Sequence, residues 1–333
     1  MTESKAGGTT LFLSRAWKAS ESELSFVTRS VAGAASRTSE VTIVVPAPSG
    51  HTEPDGAFDL FGAGVGPDGS WPSPVEAAWP PVLPSATTII VDDPDPLALS
   101  LLEARASGSM VRTISPSLGN QGAICSLRFT GPMADDTDVI GLHVPINPLA
   151  ATHRHNGLGF TGYLLVLSDR IGAPDVLPPT AMAAWLTARF PHREVVVIED
   201  ATAAVWRGRV LRGVVSVFTR TDLWRLLAHA RVTIDLAPGR IVARECIESL
   251  RFGTPIVVPY ESAARAHANA GGGMTFANHA ELLACIAHLS DDGVRATMSS
   301  QGRHYADARY GDQEAFVDNV ASALSAAAIA SGR

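Results

Sequence analysis

Apolar residues along the chain follow two spacings: short uninterrupted runs, and longer stretches in which an apolar residue recurs every three or four positions. The first run covers residues 11–13, an amphipathic stretch follows over residues 21–35, and a second run covers residues 41–45. Short runs indicate buried strands, whereas the wider spacing indicates an amphipathic helix. Strand, helix and strand in close succession predict a βαβ unit, which implies a parallel sheet.

The same alternation extends to about residue 114, with one interruption. Residues 47–85 are rich in proline and glycine and predict a long irregular segment. Further on, the pattern predicts a strand over residues 88–91, a helix over 95–106 and a strand over 110–114. A polar stretch with proline and glycine at residues 145–160 then predicts a domain boundary.

Beyond this boundary the alternation starts again. Strands are predicted at 163–167, 195–198, 214–218, 232–236 and 256–259, and helices at 180–189, 221–229, 242–252, 280–289 and 294–330. The chain is therefore predicted to form two α/β domains, residues 1–150 and residues 151–333.

Composition agrees with a folded, two-domain chain and limits the classes of partner that we expect it to bind. The 333 residues are 46% hydrophobic and 18% charged, with a mean hydropathy of +0.15, which is enough apolar material for two cores. A net charge of −7 gives no overall basic field, so nucleic acid is not an expected partner. No apolar run approaches the ~18 residues of a membrane span. We therefore expect a cytoplasmic protein, and peripheral attachment to a membrane stays open.

The distribution of lysine and cysteine excludes several chemistries. Lys5 and Lys18 are the only lysines, so a phosphate-binding P-loop and a Schiff-base lysine in the second half are excluded. The three cysteines, at positions 125, 246 and 285, are widely spaced and predict buried, reduced thiols rather than a metal site. His153 and His155 alone are too few for metal binding.

Three turns that follow strands of the second domain carry polar groups suited to an anionic ligand. They contain Arg170, the pair Gly239 and Arg240, and the segment 219–222. In open parallel sheets ligands bind beyond the carboxyl ends of the strands, where helices begin and offer free N–H groups. Simpler interpretations also hold: Arg170 could pair with a neighbouring carboxylate, Gly239 could only form a turn, and Arg244 and Glu248 have the spacing of a helix-surface ion pair.

Residues 248–259, Glu-Ser-Leu-Arg-Phe-Gly-Thr-Pro-Ile-Val-Val-Pro, resemble a motif of the retaining glycosyltransferases of family 4. Segments similar to that family also occur in the family's order at 144–147, 164–170, 214–227 and 270–274. The resemblance implies an α/β GT-B fold, in which two Rossmann-like domains with parallel sheets face each other across a cleft. The activity it implies is transfer of a sugar from a nucleotide-diphosphate sugar to an acceptor, without metal or cofactor.

The resemblance also implies roles for individual residues. Arg170 would hold the diphosphate, Glu248 would accept hydrogen bonds from the ribose hydroxyls, and the backbone N–H groups of the helix start would bind phosphate. The helix start consists of Val242, Ala243 and Arg244, after Gly239, and Phe218, Thr219 and Arg220 would line the base. An arginine and helix N–H groups aimed at a diphosphate stabilise the charge that develops as the glycosidic bond breaks.

Four departures from the family pattern leave two functions open. Arg240 stands where the family has a glutamate that contacts the donor sugar, and the lysine that follows Arg170 in the family is absent. Residues 20–23 replace a Gly-Gly pair, and Ser115 and Pro116 stand where a histidine is common. In an active enzyme Arg240 would take over the lysine's charge or recognise an acidic sugar. The alternative is an inactive GT-B module that is a partner or regulator of another transferase. The acceptor, whether glycan, lipid, small molecule or protein, is not indicated.

Overall fold

The chain folds into two compact units. The computed structural model describes residues 9–14, 17, 23–45, 52–55, 58–62, 88–92, 110–116, 125–129, 139–142, 161–167, 179–199, 202–207, 210–217, 219–236 and 244–331. The first unit comprises Met1–Pro116, Ala123–Val144 and Gln313–Arg333, and the second comprises Ser117–Gly122 and Pro145–Asp312.

The described part of the first unit is built on one sheet. Its strands are β1 (Thr9–Leu13), β2 (Glu40–Val45), β3 (Thr52–Asp55), β4 (Phe58–Gly62), β5 (Thr88–Asp92), β6 (Met110–Pro116), β7 (Cys125–Phe129) and β8 (Val139–Leu142). The order across the sheet is β3-β4-β2-β1-β5-β6-β7-β8. The middle strands β4, β2, β1, β5 and β6 run parallel, and antiparallel strands extend the sheet on both sides.

Two helices of this unit lie in the described part of the chain. Helix α1 (Glu23–Ala35) connects β1 to β2 and buries Val27, Val31 and Ala34, which lie on one helix face. Helix α7 (Gln313–Ser331), the last of the chain, packs against α1. An exposed ion pair joins Arg37, two residues after α1, to Glu314 in the first turn of α7. The distance between Arg37 Nη1 and Glu314 Oε1 is 2.8 Å.

The second unit has a larger share of parallel pairing. Its strands are β9 (Tyr163–Leu167), β10 (Glu194–Glu199), β11 (Thr202–Arg207), β12 (Val210–Ser216), β13 (Ala230–Asp235), β14 (Ile256–Pro259) and β15 (Gly273–Phe276), in the order β12-β11-β10-β9-β13-β14-β15. Strands β10, β9, β13, β14 and β15 run parallel, and β11 and β12 form an antiparallel hairpin at one edge.

Helices cover both faces of this sheet. They are α2 (Pro179–Arg189), α3 (Arg220–His229), α4 (Arg244–Phe252), α5 (His279–His288) and α6 (Asp292–Tyr310). One apolar cluster joins α2 and α5 to the sheet around Leu164 and Val257, and another joins α3 to it around Leu165 and Val196. Strand β13 is buried along its whole length, as expected for a central strand covered on both sides.

The structure confirms the predicted α/β class and adds strands that the sequence pattern missed. The segment 47–85, predicted to be irregular, contains β3 and β4, and β7, β8, β11 and β15 were not predicted. These strands lie in the outer parts of the two sheets, where a mixed polar sequence such as Thr-Glu-Pro-Asp in β3 lacks the apolar run of a central strand. The predicted strand 214–218 begins earlier, at Val210, and the predicted helix 95–106 lies outside the described residues.

Candidate functional site

Polar side chains gather at the carboxyl edge of the second sheet. Strands β9, β10 and β13 are parallel, and β12 runs in the same direction because two antiparallel steps separate it from β10. Helix α3 follows β12 and helix α4 follows β13, so both helices begin at this edge. Helix N-termini at the carboxyl edge of a parallel sheet are the usual place for an anionic ligand.

The start of α3 is fixed by a capping box. The Thr219 hydroxyl accepts from the Asp222 backbone N–H at 3.2 Å, and the Asp222 carboxylate accepts from the Thr219 backbone N–H at 3.2 Å. Each group satisfies a backbone donor that the helix leaves unpaired. Thr219, predicted to lie beside a nucleotide base, therefore has a structural role in setting where Arg220 enters the helix.

We expect Thr219→Ala to lower the free energy of unfolding by about 1 kcal/mol, because the helix loses the side-chain acceptor of its cap. Thr221→Ala is the matched control, since Thr221 lies inside the helix two residues further on. Equilibrium urea unfolding of both variants measures the difference. Equal stability of the two variants would show that the cap contributes nothing.

Arg220, the first residue of α3, binds two carboxylates of α4. Its Nε and Nη2 donate to Oε1 and Oε2 of Glu248 at 3.0 and 2.6 Å, and its Nη1 donates to Oε1 of Glu245 at 2.5 Å. The pairing with Glu248 uses both carboxylate oxygens, which is the strong, directional form of this interaction. Arg220 thus holds the start of α3 against the face of α4.

Glu248 also contacts Arg244, one helical turn earlier, with Nε of the arginine 2.8 Å from Oε1. This is the ion pair that the spacing of four residues allowed. Glu248 is 0% exposed, so its charge is compensated by Arg220 and Arg244 rather than by water. Burial raises the pKa of the Glu248 carboxyl, an effect that the two arginines oppose.

Burial and the neighbouring carboxyl groups shift the pKa values of Arg220 and Arg244 in opposite directions overall. Burial lowers the pKa of Arg244 below its usual value, and the nearby Glu248 only partly offsets this. For Arg220 burial acts in the same direction, but the charges of Glu245 and Glu248 outweigh it and raise the pKa. Both guanidinium groups keep their protons at neutral pH. The cluster formed by Arg220, Arg244, Glu245 and Glu248 thus places two arginines against two glutamate carboxyl groups.

The geometry limits what Glu248 can bind. A carboxylate offers about four lone-pair positions, and three arginine nitrogen atoms already approach its two oxygens. The side chain is 0% exposed, so a hydroxyl group of a ligand reaches the carboxylate only when one of these arginines moves. Binding two ribose hydroxyls requires Arg220 or Arg244 to turn away, which would release a positive charge next to the ligand.

The carboxyl end of α4 gives a structural reason for the Gly-Thr pair in the motif of residues 248–259. Gly253 has φ +77°, a left-handed conformation that favours glycine, and it ends the helix. The Thr254 hydroxyl donates to the Leu227 carbonyl at 2.8 Å, and the Ser249 hydroxyl donates to the Thr254 carbonyl at 3.0 Å. The Gly-Thr pair thus fastens α4 to the end of α3 and has a structural purpose whatever the chain binds.

Four of the predicted site residues lie in the described part of the chain, and the structure brings three of them together. Arg220, Arg244 and Glu248 form one cluster, and Thr219 caps the helix beside it. The other predicted residues lie outside the described residues: Arg170, Phe218, Gly239, Arg240, Val242 and Ala243. Among the described residues no group of three or more His, Cys, Asp or Glu side chains is arranged to hold a metal ion.

Two acidic residues at this edge were not among the predicted site residues. Glu245 belongs to the arginine cluster, and its spacing of three from Glu248 was the available signal, since residues three apart share a helix face. Asp235 ends β13, is buried, and lies 3.5 Å from the thiol of Cys246, which donates to its carboxylate. A buried carboxylate at the end of a central strand is a candidate site residue.

No protein-family model matches the chain, and no curated protein matches its sequence. Solved structures do match. Sucrose-phosphate synthase from Thermosynechococcus elongatus is 11% identical, with 95% of this chain and 98% of that chain covered and a TM-score of 0.59. A glycosyltransferase from Rickettsia africae is 8% identical, with 96% and 98% covered and a TM-score of 0.59.

The Anabaena protein HepE, solved in complex with UDP and glucose, is 14% identical, with 96% of this chain and 100% of that chain covered and a TM-score of 0.54. Identities this low establish a shared fold and nothing further. The chain therefore has the α/β fold of the GT-B glycosyltransferases, with a Rossmann-like sheet in each unit.

Proposed function

We propose that the chain is a glycosyltransferase that moves a sugar from a nucleotide-diphosphate sugar to an acceptor, with retention of configuration and without a metal ion. The observation that carries the proposal is the buried Glu248 carboxylate, held by Arg220 and Arg244 where α3 and α4 begin. A buried, charge-paired carboxylate at the carboxyl edge of a parallel sheet is suited to binding a ligand that has both hydroxyl groups and negative charge.

The chemistry of the proposed reaction matches these groups. Glu248 accepts a hydrogen bond from a ribose hydroxyl when one arginine turns from Glu248 toward the diphosphate. The leaving diphosphate gains charge as the glycosidic bond breaks, and Arg170 and Arg240 are proposed to stabilise it in place of a metal ion. Backbone N–H groups of Val242, Ala243 and Arg244 complete the phosphate site.

The choice of a nucleotide-sugar donor has support from HepE, which was solved with UDP-glucose and with UDP and glucose. The shared fold covers nearly the whole of both chains, so a donor site at the same edge of the second sheet agrees with the position of Glu248.

One observation favours a second candidate function, an inactive GT-B module that is a partner or regulator of another transferase. Glu248 is enclosed by Arg220 and Arg244, and Arg240 stands in the sequence where the family has its sugar-contacting glutamate. An ion-pair cluster that stays closed would leave no carboxylate for the ribose. In that case no nucleotide binds, and the cluster only fastens α3 to α4.

We expect Arg170→Ala to weaken the binding of a nucleoside diphosphate at least tenfold, because a charge-assisted contact to the diphosphate contributes about 1.5–3 kcal/mol. Isothermal titration calorimetry with the nucleotide that binds best gives the affinity. Arg189→Ala is the matched control, since Arg189 is exposed at the end of α2. Unchanged affinity in Arg170→Ala would refute the diphosphate role.

A further inference from the structure

The edge strand β12 exposes apolar side chains to an unusual extent. In the described part of the chain, four large hydrophobic side chains are exposed, and Val210, Leu211 and Val214 are three of them, at 58%, 46% and 58%. Leu211 pairs with Trp206 and Val214 pairs with Ala204, so Leu211 and Val214 share one face of the β11–β12 hairpin. Val210 pairs with Arg207 and is exposed on the other face, so the edge strand presents apolar side chains on both faces. Clustered exposed apolar side chains on one edge strand indicate a surface that contacts a partner.

The same hairpin is positively charged. Residues 202–216 contain three arginines and no acidic residue, in a chain whose net charge is −7. Arg212 is exposed, and Arg207 is 50% exposed with a 3.4 Å contact to Glu194. The pairing of Arg207 with Glu194 also places His192 and Arg193, just before β10, at this end of the sheet. The partner that complements this surface is therefore an anion with an apolar part.

Charge and shape argue against a second copy of the chain as the occupant. Antiparallel pairing of β12 with its own copy, centred on the strand, would bring Arg212 of one copy close to Arg212 of the other, which is unfavourable. The register also shifts between Val205 and Trp206, so the hairpin has a bulge opposite them. Bulges and charges on an edge strand discourage pairing of strands from different chains.

The apolar side chains also distinguish a membrane from nucleic acid. Single-stranded nucleic acid is bound by aromatic side chains that stack on bases, whereas valine and leucine offer no such stacking. Aliphatic side chains next to arginines are suited to the surface of an anionic bilayer. The aliphatic groups contact the acyl chains, and the arginines contact the anionic headgroups. Among the described residues no helix is long and apolar enough to cross a bilayer, so the contact would be peripheral.

We propose that the β11–β12 hairpin docks the protein on an anionic lipid bilayer, with Val210, Leu211 and Val214 entering the interface and Arg207 and Arg212 contacting the headgroups. This proposal does not depend on the donor site, because Val210, Leu211 and Arg212 lie at the start of β12, at the opposite end of the strand from Arg220. A donor site that failed its test would leave it unaffected.

The test is co-sedimentation of the full chain with vesicles of phosphatidylcholine, alone or mixed with phosphatidylglycerol. We expect binding only to the mixed vesicles, and weaker binding at high salt. Arg212→Gln should lower the partition coefficient about fivefold, and Val210→Ser combined with Val214→Ser should lower it about tenfold. The changed residues are exposed, so circular dichroism should show an unchanged fold.

Two control variants separate this surface from the rest of the protein. Arg309→Gln removes an exposed arginine of α6, and Tyr260→Ser removes the fourth exposed large apolar side chain, which follows β14. Both should bind vesicles like the unchanged protein. Absence of binding to the mixed vesicles, or equal losses in control and hairpin variants, would overturn the proposal. So would a hairpin-dependent dimer in sedimentation, or binding to single-stranded nucleic acid in place of vesicles.

Discussion

Glu248→Gln is expected to lower the free energy of unfolding by about 3 kcal/mol, because removal of one partner from a buried ion pair leaves the other charges uncompensated. Glutamine keeps the shape of the side chain but has no charge. The N–H groups of its amide would face the N–H groups of Arg220 and Arg244, and two donors cannot form a hydrogen bond. Arg244 is largely buried and would lose its ion pair in the cluster with Glu248. Urea unfolding followed by circular dichroism measures the loss.

Two further variants show whether the loss comes from the charge cluster. Glu261→Gln, at an exposed position after β14, should leave stability within about 0.5 kcal/mol of the starting protein. Adding Arg220→Gln to Glu248→Gln should cost less than the sum of the two single losses, because the double variant no longer holds an unpaired Arg220. Strictly additive losses would mean that Arg220 and Glu248 do not interact in the folded protein.

Gly273→Ala is expected to have the larger effect on folding, with a loss above about 4 kcal/mol. Gly273 begins β15 and pairs with Ile256 of β14. A Cβ atom at this position would overlap the Ile256 carbonyl oxygen and lie 2.8 Å from the carbonyl carbon, closer than van der Waals radii allow. Both are backbone atoms of a neighbouring strand, so the clash is relieved only by moving β15 away from the sheet.

Gly213→Ala is the matched control, because Gly213 lies in β12 of the same sheet and a Cβ atom there meets nothing within 4 Å. Thermal unfolding of the two variants compares the positions directly. The control should unfold near the temperature of the unchanged protein, whereas Gly273→Ala should unfold well below it or fail to fold. Similar melting temperatures for both would show that β14 and β15 are farther apart than the structure has them.

The central strands and the helices could be predicted from the sequence because burial on both sides leaves a clear apolar run. Strand β13 is the best example, with every residue buried. Helix α3, which precedes β13, begins one residue from the predicted start. Edge strands such as β3 and β15 lack this signal, since polar residues and a proline or glycine take the place of a continuous apolar run.

The candidate site could be predicted only in part. The spacing of Arg244 and Glu248 revealed their ion pair, because both residues belong to one helix. The bidentate contact from Arg220 joins residues 28 positions apart on different helices, and no periodicity connects them. The resemblance marked Glu248 as a ligand-binding residue, but only the structure shows that two arginines already hold its carboxylate.

Nucleotide binding tests the central proposal most directly. Thermal unfolding of the full chain is measured with UDP, GDP, ADP and TDP and their common sugar conjugates, because a ligand that binds only the folded state raises the melting temperature. We predict that one nucleotide family stabilises the protein by about 3 kcal/mol at a hundred times its dissociation constant, more so with its preferred sugar. At the same ligand concentration, Arg170→Ala should lower this stabilisation by about 1.3 kcal/mol or more. No stabilisation by any of these ligands at millimolar concentration would contradict a working donor site and leave the inactive module as the function.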